Sequence, residues 1–455
     1  MSLEQELAQL RSENQALQEQ LQAVRQELAA ALERLAELEQ QARPPASFFK
    51  PDRPKRTGEK TARRPRKADA NRGRKRATPT RVVKHALERC RTCGYRLAGE
   101  SLARRREVIE LPAPVPVEVI EHQVIKRWCP RCERWEIPTL DLSGQVLGQG
   151  RMGVRIASLV AYLRSELRLP IRAIASYLDT LHHLRLSTGE IVGLLHQVQQ
   201  ALAGTVEELK GQVRASRLLH ADETGWREDG QNGYLWTFST PGAAGVRYYE
   251  YDHSRAGAVV GRLLGADFRG HLLSDFYGAY NVYTGPHQRC WVHLGRDLHE
   301  LKERHPDDPE VLAWAGEVRA LYDQAQQFLA TPDPPGRAER ERKYAGLVEQ
   351  VDRLGLQFAP AVFKGHACYG LCKRLLRHRD ELFQFVRVEG LPADNNLAER
   401  SLRPLVVIRK ISGGSRSPRG SQTRAALASL FGTWQARALN SFQECLTLLS
   451  QTPLP

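Results

Sequence analysis

Apolar residues recur along this chain with three different periods, and each period predicts a different kind of element. Over residues 1–40 they return every three and four positions. Leu7, Leu21, Leu28 and Leu35 form one column, with Asn14 among them; Leu3, Leu10, Leu17, Val24, Ala31 and Leu38 form the other. A 3.5-residue period kept this long predicts a coiled coil over residues 1–42. The single Asn in an apolar column fixes register and favours a parallel pair, so self-association is expected there. From 43 to 85 large apolar residues nearly vanish, which predicts a linker with too little surface to bury against its chain entropy. Alternation then takes over in REVIEL and VPVEVIEHQVI, on either side of a Pro-rich turn, and predicts a β-hairpin within a small module at 86–140.

Helical periodicity governs residues 141–215. Two helices, around IRAIASYLDTL and EIVGLLHQVQQAL, flank HHLRLSTG, and Ser187 with Glu190 forms a capping box for the second. The spacing suits a helix-turn-helix with His182, His183 and Arg185 facing DNA. Strand patterns follow in RLLHADETGW, GYLWTFST, VRYYEYDHS and GHLLSDFYGAY, with GAVVGRLLG as a helix before the last. That order predicts a mixed sheet in an α/β core covering 216–305 and 391–450. Between those stretches, 306–390 is helical and charged, interrupted by TPDPPG, and reads as an all-helical insertion. Near the C-terminus, Pro392 and Asp394 start a helix, with Asp394 as its N-cap, that places Asn395, Glu399 and Arg403 on one face. The fold expected is multidomain α+β: coiled coil, small β module, helical domain and α/β core with its insertion.

Charge narrows the partner. The formal charge is +15, and residues 50–84 hold fifteen Lys and Arg against three acids, so a polyanion such as DNA is expected. Cysteine narrows it further. Cys90-x2-Cys93 and Cys129-x2-Cys132 have the spacing of knuckles that close on one structural Zn2+. No apolar run suits a signal peptide or a membrane span, so the expected location is cytoplasmic, on the chromosome. Asp222 and Asp275 fall where apolar strands run out, and Glu399 stands alone among Asn395, Asn396, Arg400, Arg403, Arg409 and Lys410. Three such acids suit hard divalent ions, and a pair of ions suits in-line phosphoryl transfer. Glu223 follows Asp222 directly, so strand alternation turns it to the other face in a supporting position.

The blocks HADETGW, DFYGAY, CWVHLGRDLHEL and DNNLAERSLRPLVVIRK resemble those of insertion sequence 66 family transposases, as does the whole order of segments. The resemblance implies a ribonuclease-H-like catalytic core whose Asp-Asp-Glu triad is Asp222, Asp275 and Glu399, holding two Mg2+ (or Mn2+) ions. It implies cleavage at the ends of a mobile element, strand transfer into target DNA, and accessory proteins from the same element. Cys290-x2-His293 resembles a Cys/His signature found after the second Asp of many such enzymes; the plain reading, favoured over metal ligation, is a packed Cys and a hydrogen-bonded His beside the site. Arg400, Arg403, Arg409, Lys410 and Arg416 are expected on phosphates, with GGSRSPRG close to the DNA backbone. Two other readings stay open: a non-catalytic zinc-dependent DNA-binding protein, and a structure-selective nuclease on the same fold.

Overall fold

In a computed structural model the described residues are 78–451, apart from 107, 110, 112 and 149, together with Gln15 and Gln22. The coiled coil expected over 1–42 and most of the basic linker therefore lie outside the described residues. The chain divides into two compact units, Met1–Glu110 and Leu111–Pro455. In the first, Cys90 heads a tight turn: its N–H donates to the Tyr95 carbonyl and its carbonyl accepts from Gly94, both at 2.9 Å. The N–H groups of Cys93 and Thr92 point at the Cys90 sulfur and draw its thiol down to about 7.

The second unit opens with a correction. No described residue of 106–125 is in a strand, and Leu111 and Val119 are 85% and 88% exposed. Alternation specifies a strand only where one face is covered, and here the apolar side chains find no cover. Backbone bonding instead ties Val117 to the end of a helix, through the His182 carbonyl at 3.1 Å. The hairpin forms later, as β1 (Arg127–Cys129) and β2 (Arg134–Glu136) around the second cysteine pair. Trp128 and Trp135 face each other across it, edge to face at 5.7 Å. The Cys129 thiol is lowered by N–H groups of Cys132 and Arg131, the same local device as at Cys90.

Four helices follow: α1 (Val154–Ser165), α2 (Ile171–His182), α3 (Thr188–Ala201) and α4 (Ala203–Arg214). Ser187 and Glu190 form the reciprocal capping box of α3 that the sequence predicts. In the α2–α3 turn His182 Nδ1 meets the Val115 carbonyl at 3.0 Å and Arg185 pairs with Asp179 at 3.2 Å. His183 ends α2 in the left-handed region, φ 54°.

The sheet comprises β3 (Leu218–Glu228), β4 (Gln231–Ser239), β5 (Arg247–Asp252), β6 (His271–Ser274) and β7 (His287–Arg289), with helix α5 (Gly257–Leu264) crossing between β5 and β6. Its order is β5-β4-β3-β6-β7; β3, β4 and β5 pair antiparallel, while β6 lies parallel to both β3 and β7. The four strands and the helix read from the sequence are present. The fifth strand was not expected, because its three residues, His, Gln and Arg, are polar yet fully buried.

One face of the sheet, with Leu219, Ala221, Trp236 and Phe238, shares a single core with α1–α4 and with two C-terminal helices, α12 (Pro418–Ala436) and α13 (Ser441–Gln451). The boundary expected at residue 215 thus does not separate two cores. Across the other face runs α11 (Asn396–Ser412), seating Leu402, Leu405 and Ile408 on Trp226 and Leu235. The insertion packs α7 (Pro309–Leu329), α8 (Arg337–Phe358), α9 (Tyr369–His378) and α10 (Gln384–Arg387) around Trp314 and Phe383. Helix α6 (Trp291–Arg304), expected with the core, contributes Leu294, Leu298 and Leu301 to this cluster and so links sheet to insertion. Among the described residues no helix is long and apolar enough to cross a membrane.

Candidate active site

The site forms where parallel pairing stops. β3 pairs with β6 only from Leu218 to His220, then continues eight residues with β4 alone on its other edge. Asp222 lies just past that break, inside an 11-residue strand rather than at its end, which corrects the sequence reading. The misreading has a simple source: what runs out after LLHA is the neighbouring strand. Asp275 does follow the last residue of β6 directly. Its Oδ1 accepts from the Tyr277 N–H at 2.9 Å, and its carbonyl accepts from Ser274 Oγ and Arg289 Nη1 at 2.8 Å.

Glu399 arrives from the first turn of α11. That helix starts one residue later than expected: Asn395 occupies the N-cap position, and Asp394 instead accepts from the Asn396 N–H at 3.0 Å. Fully buried, Asn395 holds three elements together. Its Nδ2 donates to the Ala221 carbonyl at 2.7 Å, its Oδ1 meets His220 Nδ1 at 3.1 Å, and its N–H donates to Cys290 Sγ at 3.2 Å. One amide side chain therefore sets α11 against the strand that carries Asp222 and the turn that carries Cys290. Asn396 is half-buried beside it.

The acids sense one another. Burial first, then the negative charges of Glu223, Asp275 and Glu399, raise the Asp222 carboxyl well above its ordinary value, against the pull of the Glu223 N–H. Glu223 faces the other way, as alternation predicts, and is held by the Tyr280 hydroxyl and by Arg255 at 2.7 and 2.9 Å. Burial still raises it, although those bonds oppose the shift. Glu399 Oε1 is buried with no hydrogen-bond partner, and so is His293 Nδ1, 3.8 Å away. Acceptor oxygens left bare beside other acids are costly unless a cation joins them, so the donor set fits hard divalent ions.

The cations divide into two groups. Arg400, Arg403, Lys410 and Arg416 are exposed around the acids' helix and its following loop. Arg409 is not free in the same way: its Nη1 donates to Thr224 Oγ1 at 3.1 Å and to the Gly225 carbonyl, bracing α11 on β3. Within GGSRSPRG, Gly414 approaches β3 closely. A Cβ on Gly414, at φ 121°, would lie 2.1 Å from the Arg227 carbonyl oxygen, and Ser415 donates to that same oxygen at 2.8 Å.

Sequence reasoning missed Arg289. Only 1% exposed, it bonds Glu381 through Nε, Asn281 through Nη2 at 2.6 Å and the Asp275 carbonyl through Nη1. It thereby fastens the Asp275 turn to the insertion. A lone Arg among polar neighbours carries no signal that could have marked it.

Fold and site together define a mixed α/β protein that gathers acids from three distant parts of its chain at one opening in a sheet. Residues 149–423, more than half of the chain, match the Transposase IS66 family, and the chain belongs to that family. It is similar to y4jO of Sinorhizobium fredii (strain NBRC 101917 / NGR234), 30% identical over 172 residues, covering 37% of this chain and 49% of that protein. It is also similar to y4qI of the same strain, 28% identical over 219 residues, covering 45% and 39% respectively. The chain thus spans half or less of the length of these relatives.

Proposed function

We propose that the protein is a DNA transposase: it binds the ends of its insertion element, cleaves a strand there and joins it to target DNA. The sheet order, with β5, β4 and β3 paired antiparallel and β3, β6 and β7 paired parallel, supports a ribonuclease-H-like reading of the core. The observation that carries the proposal is that Asp275 and Glu399, far from Asp222 in sequence, lie close enough for their charges to help burial and Glu223 raise the Asp222 carboxyl. These three side chains would hold two Mg2+ ions, with Mn2+ an acceptable substitute. When bound, such a pair supplies an activated attacking oxygen and charge neutralisation at the leaving oxygen.

The chain's own residues prepare that chemistry. Asn395 orients the Glu399 helix against the Asp222 strand, and Arg289 fixes the Asp275 turn. Exposed Arg400, Arg403, Lys410 and Arg416 would lie along phosphates and set the register of the strand to be cut. Arg409 would act mainly through the helix it braces. Each Cys-x2-Cys knuckle presents N–H groups to sulfur in the manner of a zinc ligand loop, which supports structural Zn2+ binding. Self-association through the N-terminal heptads, accessory proteins of the same element and a chromosomal location in the cytoplasm complete the proposal.

Labelled element ends, a target plasmid and Mg2+ test it on one gel. Wild type should yield cleaved ends and joined products. Asp275→Asn and Glu399→Gln should retain end binding and lose both products by about a thousandfold or more, the scale of several kcal/mol of lost charge stabilisation. Binding without any cleavage by wild type would favour the non-catalytic reading, and cleavage without joining the nuclease reading. Joined products from either variant would overturn the assignment.

A further inference from the structure

Beside the acids lies a second constellation with different chemistry. Cys290 Sγ, a His293 ring nitrogen and a Glu399 carboxylate oxygen all lie within 4.8 Å of one another. Sulfur, imidazole and a single carboxylate form a ligand set for a borderline ion of the Zn2+ type; hard Mg2+ prefers oxygen throughout. In a tetrahedral site with a sulfur bond near 2.3 Å and nitrogen or oxygen bonds near 2.0–2.1 Å, ligand atoms lie roughly 3.3–3.8 Å apart. Closing this trio on an ion therefore needs shifts of about 1 Å, within the reach of side-chain torsions.

Two independent observations point the same way. His293 Nδ1 and Glu399 Oε1 face each other at 3.8 Å, buried and without hydrogen-bond partners. That separation is too long for a hydrogen bond and matches two ligands on one ion. The backbone around Cys290 also repeats the knuckle geometry seen elsewhere in the chain. At Cys90 and Cys129 the N–H groups two and three residues later point at sulfur. At Cys290 those of Val292 and His293 do the same, and Asn395 adds a third from α11 at 3.2 Å. Burial outweighs these donors and pushes the free Cys290 thiol up to about 11, so the parallel with the other knuckles is one of backbone geometry, and an ion binding here displaces the thiol proton.

We propose that Cys290, His293 and Glu399 form a binding site for one Zn2+-class ion, distinct from the hard-ion site and sharing Glu399 with it. That Glu399 is shared between two sites rests on the function proposed above. With three protein ligands the ion keeps an open fourth position. An ion here draws Glu399 toward α6 and away from Asp222 and Asp275, so occupancy of the two sites is competitive.

Cobalt(II) is the probe, because a bound thiolate gives it a near-ultraviolet charge-transfer band. In the full-length protein, Cys290→Ser should lose one equivalent of bound cobalt together with its share of that band. His293→Ala should weaken the same equivalent at least tenfold. Cobalt at the Cys-x2-Cys knuckles contributes equally to all variants, so the difference from wild type is the readout. Serine still accepts the Asn395 N–H, and circular dichroism checks that each variant folds. Millimolar Mg2+ should weaken the wild-type equivalent several-fold and leave it unchanged in Asp222→Asn. Equal stoichiometry and band in wild type, Cys290→Ser and His293→Ala would overturn the site, whatever the gel assay gives. Asp222→Asn separates the two proposals: strand cleavage retained by that variant would defeat the triad while the cobalt difference stood.

Discussion

Asp222 is held where ionisation costs free energy. Its unfolded counterpart ionises near the ordinary value of 3.8, while burial and three neighbouring acids raise the folded carboxyl well above it. As pH rises past the ordinary value, the unfolded chain therefore gives up a proton that the folded chain retains. Stability in metal-free buffer should fall until pH passes the raised value and then level off. Asp222→Asn removes the penalty. In a chelator at neutral pH the variant should melt a few degrees above wild type, on the order of 1 kcal/mol. Added Mg2+ should raise wild type and leave the variant unmoved. Calorimetry with and without Mg2+ decides it; a variant melting below wild type in chelator would contradict the account. Asp275 and Glu399 were legible in the sequence because apolar context and a cationic neighbourhood isolate them. Asn395 was legible only as a helical neighbour of Glu399, since its buried bonds to His220, Ala221 and Cys290 depend on residues distant along the chain.

At the scale of elements, β7 and the end of the insertion form one buried polar joint. Arg289 pairs with Glu381, which also accepts from His378 at 2.9 Å. Burial would raise Glu381, but the His378 bond and the positive charges of Arg289 and His287 outweigh it and hold the carboxyl at about 2. The pairing therefore supports the fold above the ordinary glutamate range, and that support is lost as pH falls from about 4.5 toward 2. Glu381→Ala leaves the Arg289 guanidinium buried without its carboxylate, a cost of about 3–5 kcal/mol. Guanidinium denaturation near neutral pH should show that loss, and a change below about 1 kcal/mol would mean that Asn281 and Ser274 suffice. Strong periodicity made α3 readable to its cap. Alternation over 106–125 misled because no covering layer follows from a local pattern. β7 escaped notice for the opposite reason, its burial being justified by partners in the insertion and around Asp275 that a local pattern does not show.

The whole molecule depends on segments that return from a distance. Trp226 and Leu235 are covered by Leu402, Leu405 and Ile408, while Leu391 and Ala393 complete the insertion's own cluster. A chain shortened to end at residue 390 should keep its helical signal and lose the fixed environment of Trp226. It should also bind a hydrophobic dye and self-associate, as light scattering would show. A monodisperse shortened chain with native near-ultraviolet dichroism would refute this. Ribosomes deliver the acids in the same order. Asp222 and Asp275 leave the exit tunnel well before the stretch bearing Glu399, separated by the whole insertion. At about 5–20 residues per second that interval is on the order of 10 s. For that time the growing chain holds two of its three acids and a sheet still open on one face. If the proposed function holds, the three acids act together only after the stretch bearing Glu399 has emerged, so translation products abandoned before it would be chemically inert toward DNA.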